Sequence, residues 1–146
     1  MFIKSGPTGP SANAWYDPPV LMAQILFVGM GGFLGSVARY LLVGLLQSVS
    51  AGPFPLGTLA VNVIGCVAVG GLSQVLETSS VLTSDARLFL VIGLLGGFTT
   101  FSAFGNETVG LLRQGGGSLA GANVLANVLL ALGGVWLGRT TAQFLG

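Results

Sequence analysis

Four runs of apolar residues, each long enough to cross a bilayer, leave this 146-residue chain almost nothing from which to build a water-facing domain. A helix rises about 1.5 Å per residue, so about 20 residues cross ~30 Å of hydrocarbon. The runs read as Val20 to about Leu46, Leu56 to about Leu76, Ala86 to about Leu112, and Leu119 to about Phe144. Pro18-Pro19 and Pro53-Phe54-Pro55 stand where the first and second helices can start but cannot extend backwards. Short polar connections, Glu77-Thr78-Ser79-Ser80 and Arg113-Gln114-Gly115-Gly116-Gly117, join antiparallel neighbours and put both termini on one side. Residues 1–19, rich in Pro, Gly, Ser and Asn, read as an irregular tail, and 20–146 as one four-helix transmembrane domain. Ala12-Asn13-Ala14 resembles a signal-peptidase site, but no apolar stretch precedes it, so no cleavage is expected there.

Composition agrees. Charged residues make up 6% of the chain, where a soluble domain needs about 25% to cover its surface. The 25 glycines suit helices that pack closely in lipid. A net charge of +1 without a basic cluster excludes a nucleic-acid partner. There is no His, no activated nucleophile pair and no carboxylate dyad, so no enzyme is expected. The single Cys66, in an apolar run, reads as a small packing residue. Orientation is nearly undecided, because one side would hold Lys4, Arg87 and Arg139 and the other Arg113 and, at most, Arg39. So weak a bias allows insertion in either direction, which an antiparallel dimer would require.

Polar groups within the spans carry the functional argument, since each needs a partner or lines a pathway. Asn62 falls in the middle of the second span, with Thr58 and Gly65 about a turn to either side on one face. The third span contains GGFTTFSAFGNE, Gly96 to Glu107. Paired glycines followed by β-branched Thr99 and Thr100 are poor helix interior, so the helix is expected to break here and free backbone carbonyls. Such a break is tolerated only when buried in protein or lining a cavity. Phe101 and Phe104 follow at i, i+3 and so share a face, and by themselves read as lipid contact or packing rather than as a site. Asn123 and Asn127 form an i, i+4 polar stripe on the fourth span. Arg39 lies about two turns from the end of the first span, where it either snorkels or lines an aqueous vestibule.

Together with Thr100 and Ser102 these residues offer amide N–H groups, hydroxyls and the positive edges of aromatic rings. A small, strongly hydrated anion could trade water for such donors without meeting a fixed charge that would trap it. A small-anion pathway is the expectation. The main alternative, a proton-coupled four-span exporter, needs a titratable carboxylate well inside the membrane. Glu77, Asp85 and Glu107 are all expected at or near span ends, and Asp17 in the tail. A non-transporting scaffold would leave the break unexplained.

At these residues the chain resembles the Fluc/CrcB family of fluoride channels, in GGFLGSVARY (31–40), GTLAVNVIGCVAVGG (57–71) and GLLGGFTTFSAFGNE (93–107), with a looser match at GGVWLG (133–138). The resemblance covers roughly residues 24–146. It implies a passive fluoride channel of the cell (inner) membrane that relieves the cytoplasm of fluoride, built as an antiparallel dual-topology homodimer with two pores. It also implies that Phe101 and Phe104 line the pores, that Asn62 supplies a polar contact and that Arg39 lies near the vestibule. The carbonyls of Gly96 and Thr99 from both subunits are implied to hold a structural Na⁺. The chain departs from the family pattern at Asn123 and Asn127, where Tyr and Ser are usual, and at Ala103, where the motif usually has Thr.

Overall fold

Residues 18–50, 52–78 and 83–145 are described by the structure, a computed structural model. The tail expected over 1–19 lies outside the described residues apart from Pro18 and Pro19, which open the first helix. Among the described residues the fold is helical, without strands. α1 is Pro18–Val49 and α2 is Leu56–Thr78. The third span, Ser84–Arg113, is segmented into α3 (Ser84–Arg87), a π-helical stretch (Leu88–Leu95), α4 (Gly96–Phe98) and α5 (Phe101–Arg113). α6, Gly117–Leu145, completes four spans long and apolar enough to cross a membrane.

The ends follow local chemistry. The third span starts two residues before the expected Ala86, because the Thr83 hydroxyl accepts from the Ala86 N–H at 3.2 Å and caps the first turn. α5 closes through Gly115, whose φ of 77° only glycine adopts freely. Gly116 donates to the Leu111 carbonyl at 2.9 Å and Gly115 to that of Leu112 at 3.0 Å. This pairing satisfies the last carbonyls of α5 and lets α6 begin at once.

Glycines decide how the spans pair. A Cβ at Gly31 would meet the carbonyl of Phe89, and one at Gly35 that of Leu94. A Cβ at Gly97 would come within 2.7 Å of the Gly32 carbonyl. α1 therefore runs parallel to residues 88–98 with backbone against backbone. α2 and α6 form a second parallel pair: Gly70 faces the Val135 carbonyl, Gly138 that of Val67, and Gly134 that of Val63. Without a hydrophobic drive between helices in lipid, this close approach supplies dispersion contact over long lengths. The outward surface is apolar, with Phe33, Leu45, Leu125, Leu132 and Trp136 all exposed. In water such a surface would aggregate. Against acyl chains it is matched to its solvent.

The glycine seam makes a specific expectation. Gly35→Ala drives a methyl into the Leu94 carbonyl and the Phe98 amide, whereas a Cβ at Gly29 has nothing within 4 Å. Denaturant unfolding in detergent micelles should show Gly35→Ala destabilised by about 2 kcal/mol and Gly29→Ala unchanged or slightly stabilised.

Candidate functional site

Between α4 and α5 the chain leaves helical geometry for two residues. Thr99 has φ −84°, ψ 162° and Thr100 has φ −154°, ψ 119°, both extended. In an unbroken helix the Thr100 N–H would close on the Gly96 carbonyl. Here it donates to Asn62 Oδ1 at 2.8 Å instead. The Asn62 amide also donates to the Thr100 carbonyl at 3.1 Å, so one side chain of α2 engages both backbone groups of one residue. The Ala103 N–H, which would have closed on the Thr99 carbonyl, donates to the Thr100 hydroxyl at 3.2 Å and caps α5. The carbonyls of Gly96 and Thr99 are thereby released from helical pairing.

Behind the break runs a chain of hydrogen bonds with a single direction. Asn62 Nδ2 donates to Asn127 Oδ1 at 3.0 Å. Asn127 Nδ2 donates to Asn123 Oδ1 at 2.9 Å and to the Asn123 carbonyl at 3.1 Å. Asn123 Nδ2 donates to the Thr108 hydroxyl at 2.9 Å, which donates to the Phe104 carbonyl at 2.8 Å. Both N–H groups of Asn62 and both of Asn127 are thus spent within the protein. The hydroxyls of Thr100 and Ser102, 3.2 Å apart, are the polar groups left beside the ring pair.

The Phe101 and Phe104 rings touch, with centroids 5.3 Å apart and planes inclined at 58°, a tilted arrangement suited to ring quadrupoles. Their surroundings differ sharply: Phe104 is 9% exposed and Phe101 82%. They border a cavity of about 500 Å³ that Asn62, Gly96, Thr99, Thr100 and Asn127 also line. The structure thus brings together Asn62, Gly96, Thr99, Thr100, Phe101, Phe104 and Asn127 at one cavity. Asn123, fully buried, stands behind it, and Ser102 beside it. Arg39 is not among the lining residues. It is half-buried on the face of α1 that carries Gly35 and Val43, and makes no ion pair among the described residues.

Two residues escaped the sequence argument. Thr108 looks like any hydroxyl in a span, yet it anchors the amide chain. Glu107, two turns from the end of α5, was expected only as a residue near a span end. It is half-buried: Oε1 accepts from Thr58 Oγ1 at 2.7 Å, and Oε2 is buried without a partner. The signal for both was their spacing from Phe104 and Phe101, read together with Thr58 one turn before Asn62.

Geometrically this is a polytopic membrane protein whose third span is interrupted beside a cavity walled by neutral donors and aromatic rings. The sequence matches the family of CrcB-like proteins, described by camphor resistance (CrcB), over residues 26–139, and the chain belongs to that family. It is 47% identical over 126 residues to the fluoride-specific ion channel FluC of Elusimicrobium minutum, covering 86% of this chain and 98% of that protein. It is 45% identical over 122 residues to that of Geobacter sulfurreducens, covering 84% and 98%. To that of Methylobacillus flagellatus it is 43% identical over 118 residues, covering 80% and 92%.

The Thr58–Glu107 contact can be weighed by substitution. Thr58→Val should cost about 1–3 kcal/mol of stability, since it strands a carboxylate held in a buried position. In a Glu107→Leu background the same change should cost much less, and unfolding of the four proteins in micelles measures the coupling.

Proposed function

We propose that the chain forms a passive, fluoride-selective channel of the cell membrane that lowers cytoplasmic fluoride. The 47% identity with a protein named a fluoride-specific ion channel, along 98% of that protein, carries the reading. The path is assigned to the ring edges of Phe101 and Phe104 and the hydroxyls of Thr100 and Ser102, with Asn62 at the turn and Asn127 and Asn123 in the wall behind it. Arg39 is assigned to the vestibule, where its charge raises the local anion concentration without entering the path. Fluoride would exchange water for weak neutral donors, which bind enough to admit it and too little to hold it.

The channel is proposed to be an antiparallel homodimer with the break of the third helix at mid-membrane. Two features support this. The Lys and Arg residues barely favour one orientation, and Phe101 and Gly96 are exposed beside an open cavity in the single chain. The donor set also suits a structural Na⁺, since the carbonyls of Gly96 and Thr99 are free of helical partners and backbone oxygens of unwound segments suffice for a hard monovalent cation. Among the described residues no group of His, Cys, Asp or Glu could serve a transition metal. Gly96 and Thr99 of two copies would hold the ion, and its charge would tie the two breaks together.

Liposomes containing the purified protein should release fluoride but not chloride, and release should be indifferent to a pH gradient. A proton-coupled exporter, for which Glu107 is the available carboxylate, would instead follow the gradient. Phe101→Ile and Phe104→Ile keep apolar bulk and remove the quadrupole, so fluoride efflux should fall by about tenfold or more while the dimer persists. Wild-type efflux in both variants would return the rings to packing.

Sodium is tested separately. Replacing Na⁺ by Cs⁺ throughout should lower activity or dimer stability. Gly96 has helical φ and ψ and a Cβ there meets only the Val91 carbonyl at 3.7 Å, so Gly96→Val and Thr99→Val, which both keep the backbone path, should do less harm than removing Na⁺. Full activity and dimerisation after exhaustive Na⁺ removal would dispose of the cation.

A further inference from the structure

We propose that Thr108, Asn123 and Asn127 are positioning residues, which fix the Asn62 amide and the start of α5 without touching the permeating ion. The proposal rests on the channel reading above. Its basis is the closed course of the hydrogen bonds. They leave α5 at the Thr100 N–H, pass through Asn62 on α2 and through Asn127 and Asn123 on α6, and return to α5 at Thr108 and the Phe104 carbonyl. Both ends are therefore backbone groups of one short stretch, whose own direction cannot reverse. Turning the Asn62 or the Asn127 amide over would mismatch three contacts, and turning Asn123 over would set N–H against N–H at Asn127 and draw the Thr108 hydrogen away from the Phe104 carbonyl. The sense of the whole chain is thus imposed from its ends.

Between those ends lies the turn that carries Phe101 and Phe104. The loop ties this turn to α2 and α6 together, through Thr108 one turn beyond Phe104 on the same side of α5. None of the three proposed residues can serve the anion directly. Asn123 has no exposed surface, and the 6% that Asn127 exposes comes with both of its N–H groups already engaged. The Thr108 hydrogen is given to the Phe104 carbonyl. What these residues can alter is where Thr100 and the rings stand.

Single-channel recording of fluoride current in planar bilayers separates this role from a merely structural one. A structural residue changes how many channels are active; a positioning residue changes the current through each. Thr108→Val is isosteric and should lower unitary current about fivefold, and Thr108→Ser, which restores the hydroxyl, should recover it. Asn127→Leu should lower it about tenfold, and adding Thr108→Val should lower it no further, because both interrupt one chain. Leu129→Ala, at a residue 62% exposed on the outer side of α6, should leave it unchanged. Wild-type unitary current in Thr108→Val and Asn127→Leu, or effects that multiply in the double variant, would overturn the proposal. Should Asn127→Leu fail to assemble, the Thr108 pair decides alone. A wild-type protein that passes no fluoride would instead defeat the channel reading itself.

Discussion

Interrupting a helix within a span releases backbone groups that hydrocarbon cannot satisfy, and at Thr100 a single side chain meets two of them. The Asn62 amide has an acceptor and a donor at the separation of a peptide's own N–H and C=O, so it substitutes for a neighbouring strand. A hydroxyl has only one hydrogen, so it could not meet the Thr100 N–H and C=O and also donate to Asn127 as the Asn62 amide does, and a buried group left unpaired costs about 1–3 kcal/mol. With Thr100 held, Thr99 is committed to an extended conformation and the carbonyls before it lose their partners. The start of α5, and with it the ring pair, is fixed by the same contact.

The break also solves a packing problem. Residues 88–98 lie along α1, against Gly31, Gly32 and Gly35, whereas α5 lies against α6 and reaches α2 through Asn62 and Thr58. A straight third helix could follow only one of the two parallel pairs. With the interruption at Thr99 and Thr100 it joins both, and the cavity lies beside that interruption. The two kinds of contact differ accordingly. The first arm is held by glycine-mediated backbone approach, which is indifferent to polarity. The second is held by hydrogen bonds, which fix orientation as well as distance.

The sequence made the spans and the break legible for separate reasons. Span lengths follow from bilayer thickness, so apolar runs placed them within a few residues; Gly96-Gly97 before two threonines read as poor helix, yet Gly96–Phe98 is helical and only Thr99 and Thr100 are extended. The i, i+4 spacing placed Asn123 and Asn127 on one face, and both are indeed turned inward. What could not be read was pairing across helices. That Asn127 meets Asn62 depends on the register of α6 against α2, which the backbone contacts at Gly70, Gly134 and Gly138 set, and that Asn123 meets Thr108 depends on its register against α5. The burial of Glu107 depends in the same way on the approach of Thr58. The π-helical winding of Leu88–Leu95 had no signal either, since LFLVIGLL is uniformly apolar.

Counting donors changes the view of how such a cavity would treat an anion. From sequence, amide N–H groups stood beside hydroxyls and ring edges as donors for an anion. In the folded chain those of Asn62 and Asn127 are consumed, and they serve to hold the backbone of the break. The Thr99 hydrogen is likewise given to the Leu95 carbonyl, so on the proposed path the donors left for an anion are the ring edges and the one hydroxyl hydrogen that the Thr100–Ser102 pair does not use. Weak donors bind a dehydrated anion only if their positions are accurate, because they lack the strength to draw it into place. A polar network stiff enough to set those positions is therefore worth more here than the additional N–H groups it uses up. No charged residue lines the cavity, Arg39 included, so on the proposed path an anion would meet no fixed positive charge to retain it.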